Sequence, residues 1–440
     1  MVPQKIYRFL FLFSARIAGA ASLFVVNLLI VRYLGLEALA SYAVFVSLVS
    51  ITAIIISSGF TAIAPILVAE YSEKKQPELV KGFVNLAVKH GSMCFAAIFA
   101  LIAGLYLSDI KIPIVGNMEM GVAVLIAAGA SAVLGFNGAV LVGMKKQVSG
   151  TVPETFARPV LFTVFTGLLL FTGHITQAST IMWLYALSVW LVFGLVLLRD
   201  RKIRGSFSAI EETSDTKRWR RAALPWTGIS LLWDFMIDLM LLLASLLAGS
   251  VEIAILHICF RYRVLAGFGM RTIHTLLMPD ITGHAVSGDQ LATRRKISQV
   301  NLASLIYSSL VLLGFAAIGQ QLLGLFSAEA VSGLPILLIV SATMLVRSIF
   351  GPAPLLLAIH NHHLVTLAVS LFTTLLAVVF VLLTYGNLGI LAVAIGYTGA
   401  NLIASVALWY MAKKKTGIDC SILAALDTSP LPAGSLKTAS

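Results

Sequence analysis

HLVTLAVSLFTTLLAVVFVLLTYGNLGILAVAIGYTGANLIASVALWYMAKKK, residues 363–415, reads as two membrane-spanning helices joined by a tight turn, followed by a basic exit. Neither 363–384 nor 388–411 contains an Asp, Glu, Lys or Arg. Each is close to the ~20 apolar residues that cross the hydrocarbon core as a helix. The turn between them is uncharged, whereas Lys413, Lys414 and Lys415 close the second run.

The same unit recurs along the chain. Apolar segments lie at 10–31, 39–63, 86–107, 119–143, 156–173, 178–198, 224–248, 251–278, 299–323, 332–358, 363–384 and 388–411. They are long continuous runs without the ten-residue alternation of a membrane barrel. Lysine and arginine collect in every second gap: Lys5 and Arg8; Lys74, Lys75, Lys81 and Lys89; Lys145 and Lys146; Arg199 to Arg221; Arg294, Arg295 and Lys296; Lys413 to Lys415. The intervening gaps hold only Arg32 and Lys111. The positive-inside rule then predicts twelve transmembrane helices with both termini in the cytoplasm. Lys5 and Arg8 ahead of an apolar run suggest a signal peptide, but Arg16 interrupts that run and it continues past residue 30, so it reads as a retained first helix.

Composition agrees. The 440 residues are 59% hydrophobic and 11% charged, against about 25% charged in soluble domains. Mean hydropathy is +0.97. A net charge of +12 would suggest nucleic acid in a soluble chain. Here the basic residues flank apolar segments, so topology accounts for them and no nucleic-acid partner is implied. Cys94, Cys259 and Cys420 lie too far apart for metal-ligand spacing or a disulfide framework. His360, His362 and His363 lack a companion acid or cysteine cluster, so no metal is expected. No Gly-rich loop ending in Gly-Lys-Ser/Thr and no His-Glu-x-x-His motif occurs, so neither ATP hydrolysis nor zinc-protease chemistry is expected.

The longest polar, basic gap, 199–223, divides the chain into an N-terminal six-helix lobe (1–198) and a C-terminal one (224–412), with a cytoplasmic tail at 413–440. Two bundles joined by a cytoplasmic linker is a transporter arrangement. Small residues in segment four (Gly129, Gly135, Gly138, Gly143) permit close helix packing. Gly351, Pro352 and Pro354 predict a bend or interruption in segment ten.

Charges inside membrane helices are costly and mark cavities or partners. Arg16 lies in segment one, Arg158 beside Pro159 in segment five, and Arg347 in segment ten. Arg32, at the end of segment one, can snorkel to the interface. Segment eight places His257, Arg261, Arg271 and His274 near one helical face, with Arg263 off that stripe. Such a stripe suits an anion such as phosphate or pyrophosphate; pairing of Arg261 or Arg271 with Asp234 or Asp238 is the structural alternative. Asp234 and Asp238, spaced i,i+4 in segment seven, are expected on one face. If desolvated there, they would couple transport to a sodium or proton gradient; no other cofactor is expected.

Several motifs carry a resemblance to a known family. Arg32-Tyr33-Leu34-Gly35-Leu36-Glu37-Ala38-Leu39-Ala40-Ser41-Tyr42 resembles an Arg-x-Leu-Gly…Gly-x-Tyr signature between the first two helices, with Ala40 and Ser41 where a glycine often precedes the tyrosine. Gly59, Pro65 and Glu70-Tyr71 match the end of the second helix. Ala248-Gly249-Ser250-Val251-Glu252-Ile253-Ala254 resembles the start of the eighth, with Ile253 in place of glycine, and Pro279 follows that helix. Gly386-Asn387-Leu388-Gly389-Ile390-Leu391-Ala392-Val393-Ala394 and Lys415-Thr416-Gly417-Ile418 resemble the start and exit of the last. Across 10–418 the chain resembles bacterial oligosaccharide-lipid (O-antigen and polysaccharide) flippases of the multidrug/oligosaccharidyl-lipid/polysaccharide exporter superfamily. The resemblance implies an all-α polytopic membrane protein, two pseudo-twofold-related six-helix bundles around a central cavity, alternating access, and location in the bacterial inner membrane. It implies translocation of a polyprenyl-pyrophosphate-linked oligosaccharide, with glycosyltransferases and a polysaccharide polymerase as partners beside membrane lipids. Arg16, Arg158, Arg261, Arg271 and Arg347, with His257, are the corresponding substrate-binding candidates, and no covalent catalysis is implied. An ion-coupled multidrug or small-molecule antiporter of the same architecture and a non-transporting scaffold for polysaccharide synthesis are the rival readings.

Overall fold

The computed structural model describes residues 4–108, 118–175, 177–201, 213–286, 290–360 and 362–425, with the side chains of 4–10, 274–286, 290–291, 359 and 425 excepted. The described chain is all-helical: α1 (Gln4–Ser57), α2 (Phe60–Glu73), α3 (Pro77–Leu107), α4 (Met118–Gly143), α5 (Gln147–Val152), α6 (Arg158–Phe171), α7 (Ala178–Arg199), α8 (Thr216–Ile229), α9 (Met236–Ser245), α10 (Ser250–Val286), α11 (Gln290–Gly324), α12 (Leu334–Phe350), α13 (Ala353–Ile359), α14 (His363–Leu388) and α15 (Leu391–Thr416). His274 and Pro279 fall on α10 where side chains lie outside the described residues.

Among the described residues ten helical stretches are long and apolar enough to cross a membrane, and α8 with α9 forms an eleventh, bent by 64°. The remaining span is hidden in α1. Gly35 has φ 85° and ψ 177°, so α1 is two helices meeting at a break. A positive φ is open to glycine and strained for a side chain, which explains the glycine of the motif after Arg32. With α1 counted as two, all twelve segments are present. Large apolar side chains stand exposed along α3 and α14, such as Leu101 at 61% and Leu383 at 76%. An exposed apolar surface of this kind suits lipid, not water.

The chain forms two compact units, 1–254 and 255–440. In the first, α1 packs on α4, α6 and α9. Its water-end core gathers Phe60, Tyr71, Phe83 and Phe136 around Trp219, which is fully buried. Trp219 Nε1 donates to Tyr71 Oη at 2.8 Å. This anchor, together with Ala223 in the same cluster, packs the start of segment seven onto α2 and α3. By these contacts α8 and α9 belong to the first compact unit. In the second unit, α12 and α14 pack on α15, and α11 on α12. Phe260 meets Tyr397 edge-on at 5.3 Å, and Tyr262 Oη donates to the Leu322 carbonyl at 2.6 Å. Segment ten is interrupted where expected: Gly351, φ 70°, caps the end of α12, and Pro352 caps the start of α13.

Candidate functional site

A cavity of about 410 Å³ lies inside the first unit. Its charged and polar lining comes from α1 (Ser50, Ser57), α2 (Thr61), α4 (Ser131), the α5–α6 and α8–α9 junctions (Glu154, Arg158, Ser230, Asp234) and α7 (Tyr185). Both junctions are single π turns, Pro153–Ala157 and Ser230–Asp234. The Arg158 amide reaches the Pro153 carbonyl, and the Phe235 amide the Ser230 carbonyl at 3.1 Å. Pro159 contributes locally, since it offers no amide to the regular ladder. An extra residue in a turn shifts the side chains around it, and such turns recur at functional sites.

Arg158 Nη1 donates to Tyr185 Oη, and its guanidinium lies 5.2 Å from the centre of that ring. Glu154 stands one turn earlier. Thr61 Oγ1, Ser131 Oγ and Arg158 Nε are buried with no hydrogen-bond partner among the described residues. All three belong to residues that line the cavity.

The two acids of segment seven separate. Asp234 lines the cavity, whereas Asp238 accepts from Ser47 Oγ of α1 at 2.8 Å. The i,i+4 rule needs a continuous helix, and here a π turn and a non-helical Phe235 (φ −109°, ψ 21°) intervene. Arg16 lies exposed on α1, outside the cavity lining.

The second unit holds the remaining cations. Arg261 Nε donates to Nε2 of the buried His257 at 3.2 Å. Arg271 is exposed beside Phe268, its guanidinium 5.7 Å from the ring centre. Arg347 Nη2 donates to Asn401 Oδ1 at 2.9 Å. Arg263, off the stripe of His257, Arg261 and Arg271, reaches Thr343 Oγ1 through Nε and Nη2, both at 3.3 Å, and covers the Tyr397 ring at 5.8 Å. Thr343 and Arg347 are one turn apart on α12, as are Tyr397 and Asn401 on α15, so Arg263 and Arg347 occupy successive turns of one α12–α15 face. Glu154 is a site residue that hydropathy does not single out, since it falls two residues before the apolar run 156–173; its i,i+4 spacing from Arg158 is the signal in the sequence. Among the described residues no three His, Cys, Asp or Glu side chains converge as metal ligands.

No family model and no curated protein match this sequence. Solved structures do. An inward-facing multidrug resistance MATE family transporter of the MOP superfamily superposes with a TM-score of 0.70 at 14% identity, covering 93% of this chain and 96% of that one. The fold is that of the MOP-superfamily transporters. A MOP superfamily transporter from Pyrococcus furiosus, described as having a binding pocket of reversed polarity, gives 0.66 at 15% identity over 92% and 94%. The lipid II flippase MurJ, inward closed, gives 0.69 at 13% identity over 92% and 87%. At 13–15% identity these likenesses show the fold, to which multidrug transporters and the lipid II flippase both superpose.

Proposed function

We propose that this protein is a MOP-fold flippase that moves a polyprenyl-pyrophosphate-linked oligosaccharide from the cytoplasmic to the outer leaflet of a bacterial inner membrane. The observation that carries this reading is the partnering of the segment-eight arginines. Arg261 and Arg263 hydrogen-bond a histidine and a threonine, contacts that orient a guanidinium without neutralising it. Inside a membrane helix such charge favours an anion, and a pyrophosphate crossing low dielectric needs compensating cations. Arg347 extends the set on α12, Arg158 is its counterpart in the first unit, and Arg16 and Arg271 serve as outlying contacts. The six-helix lobes on either side of 199–223 alternate access, the termini are cytoplasmic, and the glycan is received from glycosyltransferases and passed to a polymerase.

The test is flipping of a lipid-pyrophosphate oligosaccharide in proteoliposomes. Arg261→Ala, Arg263→Ala and Arg271→Ala should each lower the rate by about tenfold or more, the scale of a lost charge-assisted contact. Absence of flipping by the folded, unmodified protein under an imposed gradient rejects the reading.

A second reading, ion-coupled export of a small molecule, is favoured by one observation: Glu154 and Asp234 line the same cavity. Two carboxylates in such a space can exchange a proton or hold sodium. Proton-dependent efflux of a cationic dye, lost in Asp234→Asn, would support it over the flippase.

A further inference from the structure

The segment after the last helix, 417–424, is tied down across the ends of three helices. Arg294 Nη2 of α11 donates to the Gly417 carbonyl at 3.2 Å, and Ser298 Oγ to the Ile422 carbonyl at 3.0 Å. Asn301, fully buried on α11, donates from Nδ2 to the Cys420 carbonyl at 2.8 Å. Cys420 Sγ donates to the Phe350 carbonyl at the end of α12. Asp419 accepts from Trp409 Nε1 at 2.9 Å and Lys413 Nζ at 2.8 Å, both on α15, and from its own neighbour's amide, Ser421 N, at 2.8 Å. Ile418, Cys420 and Ala424 are buried, and Ile422–Ala425 closes in a 3-10 turn.

These ties converge on the interruption in segment ten. A Cβ placed on Gly351 would stand 1.9 Å from the Cys420 carbonyl oxygen and 2.7 Å from Asn301 Nδ2. Backbone therefore meets backbone at the one residue where α12 ends with a positive φ. A free tail would not need side chains from α11 and α15 to satisfy its carbonyls and its acid.

We infer that residues 417–424 form a strap that clamps α11, α12 and α15 into one body and confines the bending of segment ten to Gly351–Pro352. The strap's role in the transport cycle rests on the function proposed above; its seating does not.

Two measurements on the full chain separate these. Native Cys420 is the reporter, in a Cys94→Ser, Cys259→Ser background. Burial, followed by the Asp419 charge, raises its thiol to about 12, and only thiolate alkylates rapidly. A membrane-permeant maleimide should label Cys420 at least about a hundredfold more slowly than a control cysteine introduced as Lys414→Cys at the exposed polar end of α15, with or without an imposed gradient. Labelling as fast as that control, in either condition, overturns the strap. In the flipping assay, deletion of 426–440 should leave the rate within about twofold, while Gly351→Ala and deletion of 417–440 should each cut it by about tenfold or more. Flipping at the parent rate without 417–440 overturns the functional role. If that deletion does not fold, Gly351→Ala decides, with Asn301→Ala as a milder companion. If the parent chain flips nothing, the transport reading fails while the labelling result still judges the strap.

Discussion

Trp219→Ala is the most informative stability test. Trp219 has no exposed surface, stacks edge-on against Phe83 at 5.7 Å, contacts Tyr71 at 6.5 Å, and hydrogen-bonds Tyr71 Oη. Truncating a fully buried Trp to Ala costs ~3–5 kcal/mol, including the cavity left among Phe60, Phe83 and Phe136. The lost hydrogen bond contributes ~1 kcal/mol of that, because buried Tyr71 keeps an unsatisfied hydroxyl. These transfer values apply because α8 opens with Lys217, Arg218, Arg220 and Arg221, which place this end of segment seven in water. About 4 kcal/mol is roughly a thousandfold in the opening equilibrium of α8. Trypsin reads that opening directly, since Arg218, Arg220 and Arg221 are exposed but helical, and cleavage follows the open population when reclosing is fast. Trp219→Ala should raise cleavage at these arginines by about two to three decades, and Trp219→Phe, which mainly loses the hydrogen bond, by about one. Cleavage of Trp219→Ala within about threefold of the parent would refute the claim that this side chain anchors segment seven to α2 and α3.

Three further outcomes follow from named residues. Burial alone would raise the Asp419 carboxyl, but hydrogen bonds from Lys413, Trp409 and Ser421 outweigh it and hold it at about 2. A depressed carboxylate stabilises above the unfolded value of 3.8 and loses that contribution as pH falls through the folded one. Strap stability should thus hold from neutral pH to about 4 and decline towards 2, by about 1–2 kcal/mol once the half-exposed Lys413 is allowed for; Trp409 fluorescence, as the difference from Asp419→Asn, should titrate near 2 and not near 3.8. Gly35→Ala meets no neighbour within 4 Å, so its cost is conformational, ~1–3 kcal/mol, visible as a lower folded yield; Gly35→Asn should not restore it, because ψ 177° lies outside the left-handed helical region that Asn tolerates. Ser47→Ala removes a charged hydrogen bond and should cost ~1.5–3 kcal/mol in stability without changing gradient dependence, whereas Glu154→Gln and Asp234→Asn should alter gradient dependence with little loss of stability.

Much of the fold is legible in the chain because membrane burial imposes one requirement on every segment. A backbone crossing hydrocarbon must satisfy its own polar groups, so each span appears as a continuous apolar run of predictable length. The break at Gly351–Pro352 is legible for a similar local reason, a positive φ followed by a missing amide. The site is less legible. Glu154 lies two residues outside the apolar run of segment five. Helical spacing orders residues around one helix and says nothing of Thr343 and Tyr397 on two others, which Arg263 meets. A π turn such as Ser230–Asp234 carries no strong local signal, so the i,i+4 spacing of Asp234 and Asp238 does not reveal it.

The sequence by itself determined the class of molecule, the twelve spans and the inventory of intramembrane charges, since these depend on length, hydropathy and charge placement along one dimension. Only the tertiary structure decided which charges share a space: Glu154, Arg158 and Asp234 in one cavity, Asp238 on Ser47, Arg263 and Arg347 on one α12–α15 face. Only it joined the unassigned tail to Gly351. The physical reason is common to all of these. Each joins side chains from segments far apart in the chain through short-range contacts, which the order of residues along one helix does not specify; at the cavity, π turns also redirect the side chains around them.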